Sequence, residues 1–217
     1  MIKAFIFDLD GTLVNTEKMH YRAWRRTLQQ NGVTEFSFEM FMAYVGTSNE
    51  KVAGDFLVSH AIKKSISQLV QEKQTAYMQL ISEIEPFDGA RRILSAYHNR
   101  VEMAIASSSH KMEIVAILEN LAIKNFFRFI IGGDMVEKRK PDPEIYLKAS
   151  SLLSIPPNQC LAFEDSVHGL AAAKNAGMLA IAVPNEFTQN HDVSRADVVL
   201  ESLAQVDDAL IHTLSRD

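Results

Sequence analysis

Five apolar runs of four to six residues, separated by helix-length amphipathic segments, restrict this chain to very few architectures. They occupy residues 3–8 (KAFIFD), 101–106 (VEMAIA), 128–131 (RFII), 160–163 (CLAF) and 179–183 (LAIAV). Runs this short and this continuously apolar read as strands buried on both faces. Between them, Ile114, Ile117, Leu118 and Leu121 recur at the spacing of a helix with one apolar face. Ile145, Ala149, Leu152 and Leu153 do the same after Pro143, and residues 166–176 form a further helix stopped by Gly177. Strand and helix alternating from about residue 86 predict an α/β fold, a Rossmann-like, doubly wound parallel sheet covered on both faces.

The alternation is interrupted once. Residues 15–85 contain no convincing strand and three or four helical patterns, which predicts an all-α cap inserted after the first strand. The core domain is then 1–14 plus 86–217. Folds of this kind place ligands at the carboxyl ends of their strands, so a helical insertion there can act as a lid.

A length of 217 residues suits one domain carrying an insertion, and 47% hydrophobic residues suffice for a sizeable core. The formal charge of −5 favours neither a nucleic-acid backbone nor an anionic membrane as partner. No run approaches the ~18 apolar residues of a membrane span. The opening MIKAFIFDLDG is too short and too acidic in its apolar stretch for a signal peptide. The single cysteine, Cys160, cannot form an internal disulfide, which fits a reducing compartment. A cytoplasmic monomer that meets a small charged molecule is the resulting expectation.

The segment FIFDLDGTL concentrates the chemistry. Asp8 ends the first strand, Asp10 follows two residues later, and Gly11 lets the chain turn away sharply. An Asx turn closing a strand explains the same residues without chemistry, so other segments must decide. Ser107, Ser108 and Ser109 follow the second strand, Lys138, Arg139 and Lys140 the third, and Glu164 and Asp165 the fourth. Asp8, Glu164 and Asp165 offer oxygen ligands to Mg²⁺, Ser107 can donate to a phosphoryl oxygen, and Lys140 supplies positive charge. Each also has an ordinary explanation: a helix N-cap at Ser108 or Ser109, a solvated KRK surface, carboxylates complementing a helix dipole. All of these together, in this order at strand ends, point instead to one phosphate-handling site.

The DLDGT motif, a serine after the second strand, the lysine of KPDP and the ED pair after the fourth resemble the four motifs of the haloacid dehalogenase superfamily, in its phosphatase and β-phosphoglucomutase-like branch. The likeness covers nearly the whole chain. Asp10 argues against carbon–halogen chemistry, because true haloalkanoate dehalogenases lack it. The resemblance implies that Asp8 attacks phosphorus to form an aspartyl-phosphate and that Asp10 acts as general acid, then general base. It implies magnesium held by Asp8, the Asp10 carbonyl and Asp165, with Glu164 nearby. It also implies a phosphate cradle of Ser107, Ser108, Lys140 and the amides around Asp10 and Gly11.

In the insertion, His20, Trp24 and Leu28 share one helical stripe, and Lys73 is the one charge in a second stripe of Ile66, Leu69, Val70, Tyr77, Leu80 and Ile81. A histidine so placed is ordinarily packed in a core, and such a lysine ordinarily snorkels to water. The family branch has a histidine and a lysine at matching cap positions facing the active site, so His20, Lys73 and Trp24 become candidate substrate-side residues. Gly46 to Glu50 resembles the cap's specificity loop, with Asn49 where the sugar phosphate mutases carry an arginine. A neutral amide is a poor anchor for a second phosphate. Smaller departures are Asn15, where relatives often have aspartate, and Asp88, where they often have proline. The expected activity is therefore a Mg²⁺-dependent phosphatase for a small phosphorylated metabolite, such as a sugar phosphate. The alternatives are a β-phosphoglucomutase-type mutase and, from another class, a catalytically silent phosphate-binding domain.

Overall fold

The structure is a computed structural model that describes residues 1–45 and 47–215. The chain divides into two compact units, one of Met1–Asn15 and Glu85–Asp217, the other of Thr16–Ile84.

The first unit is built on a parallel sheet of six strands: β1 (Ala4–Phe7), β2 (Glu102–Ala106), β3 (Phe129–Ile131), β4 (Cys160–Glu164), β5 (Leu179–Ala182) and β6 (Val198–Val199). Their spatial order is β3-β2-β1-β4-β5-β6. The doubly wound expectation is met, and the order reverses between β1 and β4, where such sheets open a crevice at their carboxyl ends. β6 was not foreseen, because a two-residue Val-Val run carries no periodicity of its own.

Alternation along the strands sorts the two faces by size. Ala4, Ile6, Ala104, Ala106, Ala162, Ala180 and Ala182 pack with α7 (Glu144–Leu153) and α8 (Val167–Asn175). Phe5, Phe7 and Phe163 point the other way: Phe7 and Phe163 stack with centroids 4.6 Å apart, and Phe5 meets both edge-on. Tyr97 of α5 (Ala90–Tyr97) meets Phe5, and Phe127 meets Phe7. Each fully buried phenylalanine contributes about 1.5–3 kcal/mol by leaving water. The small residues on the opposite face let α8, itself rich in alanine, lie close against the sheet.

α6 (Lys111–Asn120) begins after His110, whose N–H donates to Glu113 (3.0 Å). The N-cap anticipated at Ser108 or Ser109 is therefore absent. Ser166 does cap α8, accepting from the Gly169 N–H at 3.1 Å. A short α9 (Asp208–Leu214) closes the unit.

The second unit contains α1 (Glu17–Gln30), α2 (Phe38–Met42), α3 (Asn49–Ser59) and α4 (Ile66–Met78). Ser37, Ser48 and Ser65 cap α2, α3 and α4, each accepting from a backbone N–H at the helix's third position. Such caps contribute about 1 kcal/mol apiece. Trp24, Leu28, Phe36, Phe41, Phe56 and Leu69 form the centre of this unit's core. Trp24 is only 1% exposed there, so its place on the α1 stripe serves packing; the expectation that it faces substrate is corrected. Ile66, counted on the buried stripe of α4, is instead exposed at the first turn. No helix among the described residues is long and apolar enough to cross a membrane.

Candidate active site

The first link is the turn after β1. Asp8 follows the last residue of the strand, and its N–H still donates to the Phe163 carbonyl (3.0 Å), which extends the sheet register by one residue. The chain then folds back tightly, with Gly11 N–H donating to Val14 O at 2.9 Å and Leu13 N–H to Leu9 O at 3.0 Å. Gly11 has φ of 88°, and a Cβ there would collide with the Asp165 carboxylate. Only glycine allows both the turn and that approach.

Neighbouring strands bring in the remaining groups. Beyond β2, Ser107 donates to Asp10 Oδ2 (3.0 Å), and its oxygen accepts from the Ser109 N–H (3.0 Å). Ser109 donates to the same Asp10 oxygen at 2.7 Å. Ser108 is exposed, so Ser109, and not its neighbour, is the second serine that the loop directs to Asp10. Glu164 is the last residue of β4 and Asp165 the next, both buried.

Lys140 joins these pieces. The KRK cluster splits: Lys138 and Arg139 are exposed, whereas the Lys140 side chain is 6% exposed. Its ammonium donates to Asp8 Oδ1 (2.6 Å), Glu164 Oε1 (2.6 Å) and Ala106 O (2.9 Å). All three N–H bonds of the group are thereby used. The Tyr146 hydroxyl donates to the same Glu164 oxygen (2.7 Å), and the tyrosine ring lies 5.1 Å from the Lys140 nitrogen. Beneath Glu164, Gly169 leaves no room for a Cβ against the carboxylate.

The electrostatics follow from this assembly. Burial pushes the Asp8 carboxyl well above its usual range; Lys140 opposes the shift, while Glu164, Asp165 and Asp10 reinforce it. Burial alone would lower Lys140, but Asp8 and Glu164 outweigh it and hold the ammonium charged. Burial and the adjacent Glu164 raise the Tyr146 hydroxyl well above its ordinary value. Four carboxylates around one ammonium leave an excess of negative charge in a buried place. Oxygen atoms of Asp8, Glu164 and Asp165 lie within 4.8 Å of one another, a hard-donor set that fits a divalent cation such as Mg²⁺.

Tyr146 and Asn185 carry no motif in the sequence, and Ser109, read as an N-cap, serves Asp10 instead. Asn185 follows β5, and its amide donates to both Gly11 O and Asp165 Oδ2 at 2.9 Å. The polar PNE segment after the fifth apolar run is the sequence signal for Asn185, since it too follows a buried strand.

Within the helical unit, Lys73 does not snorkel. It is fully buried, with its nitrogen 2.8 Å from His20 Nδ1 and 4.7 Å from the centre of the Tyr77 ring. The His20 ring stacks on Tyr77 at 4.4 Å. An ammonium donating to Nδ1 requires that nitrogen to carry the lone pair, so the imidazole is neutral. Burial, and then the Lys73 charge, hold His20 well below its ordinary value of 6.5. Asn49 is half-buried at the start of α3, and Gly46 lies outside the described residues.

The sign of the resulting pH effect is fixed. The unfolded chain takes a proton on His20 near 6.5 while the folded chain resists, so this stability is complete above that pH and is lost below it. Thermal melts should show Tm falling between about pH 7 and about pH 5.5, and falling less in His20→Gln. Equal slopes in the two proteins would remove His20 as the cause.

A doubly wound parallel sheet that gathers carboxylates, serines and one lysine at the carboxyl edge of β1, β2 and β4 defines an α/β enzyme with a site made for anions and hard cations. A family model described as haloacid dehalogenase-like hydrolase matches residues 5–183. The chain belongs to that family, in the branch of its phosphatases and phosphomutases. It is 32% identical to β-phosphoglucomutase of Bacillus subtilis, over 97% of this chain and 94% of that protein. It is 30% identical to fructose-1-phosphate phosphatase YqaB of Escherichia coli, over 82% of this chain and 94% of that one. The crystal structure of CbbY from Rhodobacter sphaeroides in complex with phosphate superposes with a TM-score of 0.84, at 30% identity, covering 94% of this chain and 96% of that one.

Proposed function

We propose that the protein is a Mg²⁺-dependent phosphatase that hydrolyses a small phosphorylated metabolite, a sugar phosphate, through Asp8. The observation that carries this reading is the Lys140 ammonium shared between Asp8 and Glu164, beside an Asp10 held by two serines. A carboxylate is a competent nucleophile toward phosphorus once the charge of the phosphoryl group is offset. Asp8 attacks phosphorus, the P–O bond to the sugar breaks, and Asp10 delivers its proton to the leaving alkoxide. Asp10 then accepts a proton from water, whose oxygen attacks phosphorus, and the Asp8 carboxylate is regenerated as inorganic phosphate leaves. Ser107 donates to the transferring group and Lys140 offsets its charge, as preorganised donors do in phosphoryl transfer. Asp8, Asp165 and Glu164, with the Asp10 carbonyl, would hold Mg²⁺, which supplies further neutralisation of phosphoryl charge. A related phosphatase acts on fructose 1-phosphate by its name, and a related structure holds phosphate, which supports a compact phosphorylated ligand.

Sugar phosphate mutation is the second reading, favoured by the similarity to β-phosphoglucomutase. Asn49 argues against it, since an amide cannot grip a second phosphate as a guanidinium does. A panel of sugar phosphates assayed with Mg²⁺ should release inorganic phosphate, and EDTA should abolish the release. β-Glucose 1-phosphate with a bisphosphate primer decides between the readings: accumulation of glucose 6-phosphate without phosphate release would replace hydrolysis by mutation.

A further inference from the structure

We infer that Asn185 is a positioning residue that sets the cation affinity of the site by locking Asp165 to the Gly11 turn; this rests on the divalent-cation reading above. The Asn185 side chain is committed on three sides. One amide hydrogen goes to the Gly11 carbonyl and the other to Asp165 Oδ2, both at 2.9 Å. Its own oxygen accepts from the Phe187 N–H (2.7 Å). The backbone is fixed as well, with Asn185 N–H donating to Thr188 Oγ1 (3.0 Å) and Asn185 O accepting from the N–H groups of Thr188 (3.1 Å) and Gln189 (2.8 Å). Phe187 and Thr188 are buried, so the turn after β5 is anchored to the core. The amide is therefore presented from a rigid support.

Its two acceptors belong to different strand ends. Gly11 follows β1 and Asp165 follows β4, and the missing Cβ of Gly11 is what brings them together, since an added atom would strike both the Asp165 carboxylate and the Asn185 amide. A carboxylate with one oxygen tied to a fixed N–H cannot rotate freely, and its remaining lone pairs keep one direction. Holding the Gly11 carbonyl stabilises the same turn that displays the backbone of Asp10. Neither bond places Asn185 on the reacting atoms; it acts through Asp165 and Gly11. Partners that orient metal ligands in this manner typically change metal affinity about 10–100-fold when removed.

The test uses the full chain with Mn²⁺ as probe, its free concentration read by electron paramagnetic resonance without turnover. Asn185→Leu removes both donors at similar volume, and Asn185→Ala does so without the larger side chain. Both should bind Mn²⁺ at least about ten-fold more weakly than wild type, and the phosphatase kcat should return toward wild type at high Mg²⁺. Wild-type binding with both variants within about two-fold of it would overturn the inference and leave the cation reading standing. A loss of kcat that excess Mg²⁺ does not restore would also overturn it, in favour of a purely structural role. Failure of wild type to bind Mn²⁺ would overturn the cation reading and this inference with it.

Discussion

Asp8→Asn is expected to lose at least about 10⁴-fold in phosphomonoester turnover while keeping its fold. The amide has nearly the shape of the carboxylate but lacks the anionic oxygen that would attack phosphorus. The structural role of the position survives, because the residue's backbone N–H carries the bond to Phe163 O. Lys140 keeps its contacts with Glu164 and Ala106. Burial already drives the Asp8 carboxyl upward, with Glu164, Asp165 and Asp10 adding to the shift against Lys140, so deleting this one charge relieves a buried negative excess. Thermal melts should therefore give a Tm equal to or above that of wild type, while phosphate release from the sugar phosphate panel disappears. Undiminished release would refute the assignment of Asp8 as nucleophile.

Lys140→Met should have the opposite effect on stability and a similar direction in activity. The substitution removes the cation from between Asp8 and Glu164, whose side chains are 9% and 0% exposed. Breaking a buried ion pair from one side costs about 3–5 kcal/mol, because the surviving charge is left without a partner. Asp8 can take up a proton, and that response limits the cost. At about 2–4 °C per kcal/mol for a chain of this size, Tm should fall by about 6–20 °C. Turnover should fall by at least about 10²–10³-fold, the loss typical of removing one donor to developing charge. A double-mutant cycle isolates the pair: adding Asp8→Asn to Lys140→Met should restore part of the lost stability. Strict additivity of the two changes would show that the ion pair carries none of it.

The fold was legible because its signal is local. Apolar runs of strand length, with helical spacing between them, imply a parallel sheet whatever the details, and five of the strands fall where they were read. Asp8, Asp10, Ser107, Glu164 and Asp165 were legible because each stands at or just past a strand end, and the sheet brings such ends together; Lys140, in the loop well beyond β3, was legible through its KPDP motif. What stayed hidden depends on contacts distant in sequence. Periodicity marked Lys73 as the odd member of its stripe but could not show that His20 Nδ1 and the Tyr77 ring would receive it in the interior. The same periodicity placed Trp24 and His20 on one stripe, although the first fills the core and the second pairs with a lysine. Tyr146 sits one residue beyond Ile145 in an apolar helix, and nothing local announces that its hydroxyl will meet Glu164. Ser108 and Ser109 are identical in type, and only the backbone direction after β2 separates the exposed one from the one bonded to Asp10.

The bond from Asn185 to the Gly11 carbonyl spans 174 residues, and the ammonium of Lys140 reaches 132 residues back to Asp8. During synthesis, Asp8 and Gly11 are therefore made well before the partners that fix them, and the site can close only once the later strands have been added. A chain that stops before residue 140 lacks the ammonium that Asp8 meets in the folded protein.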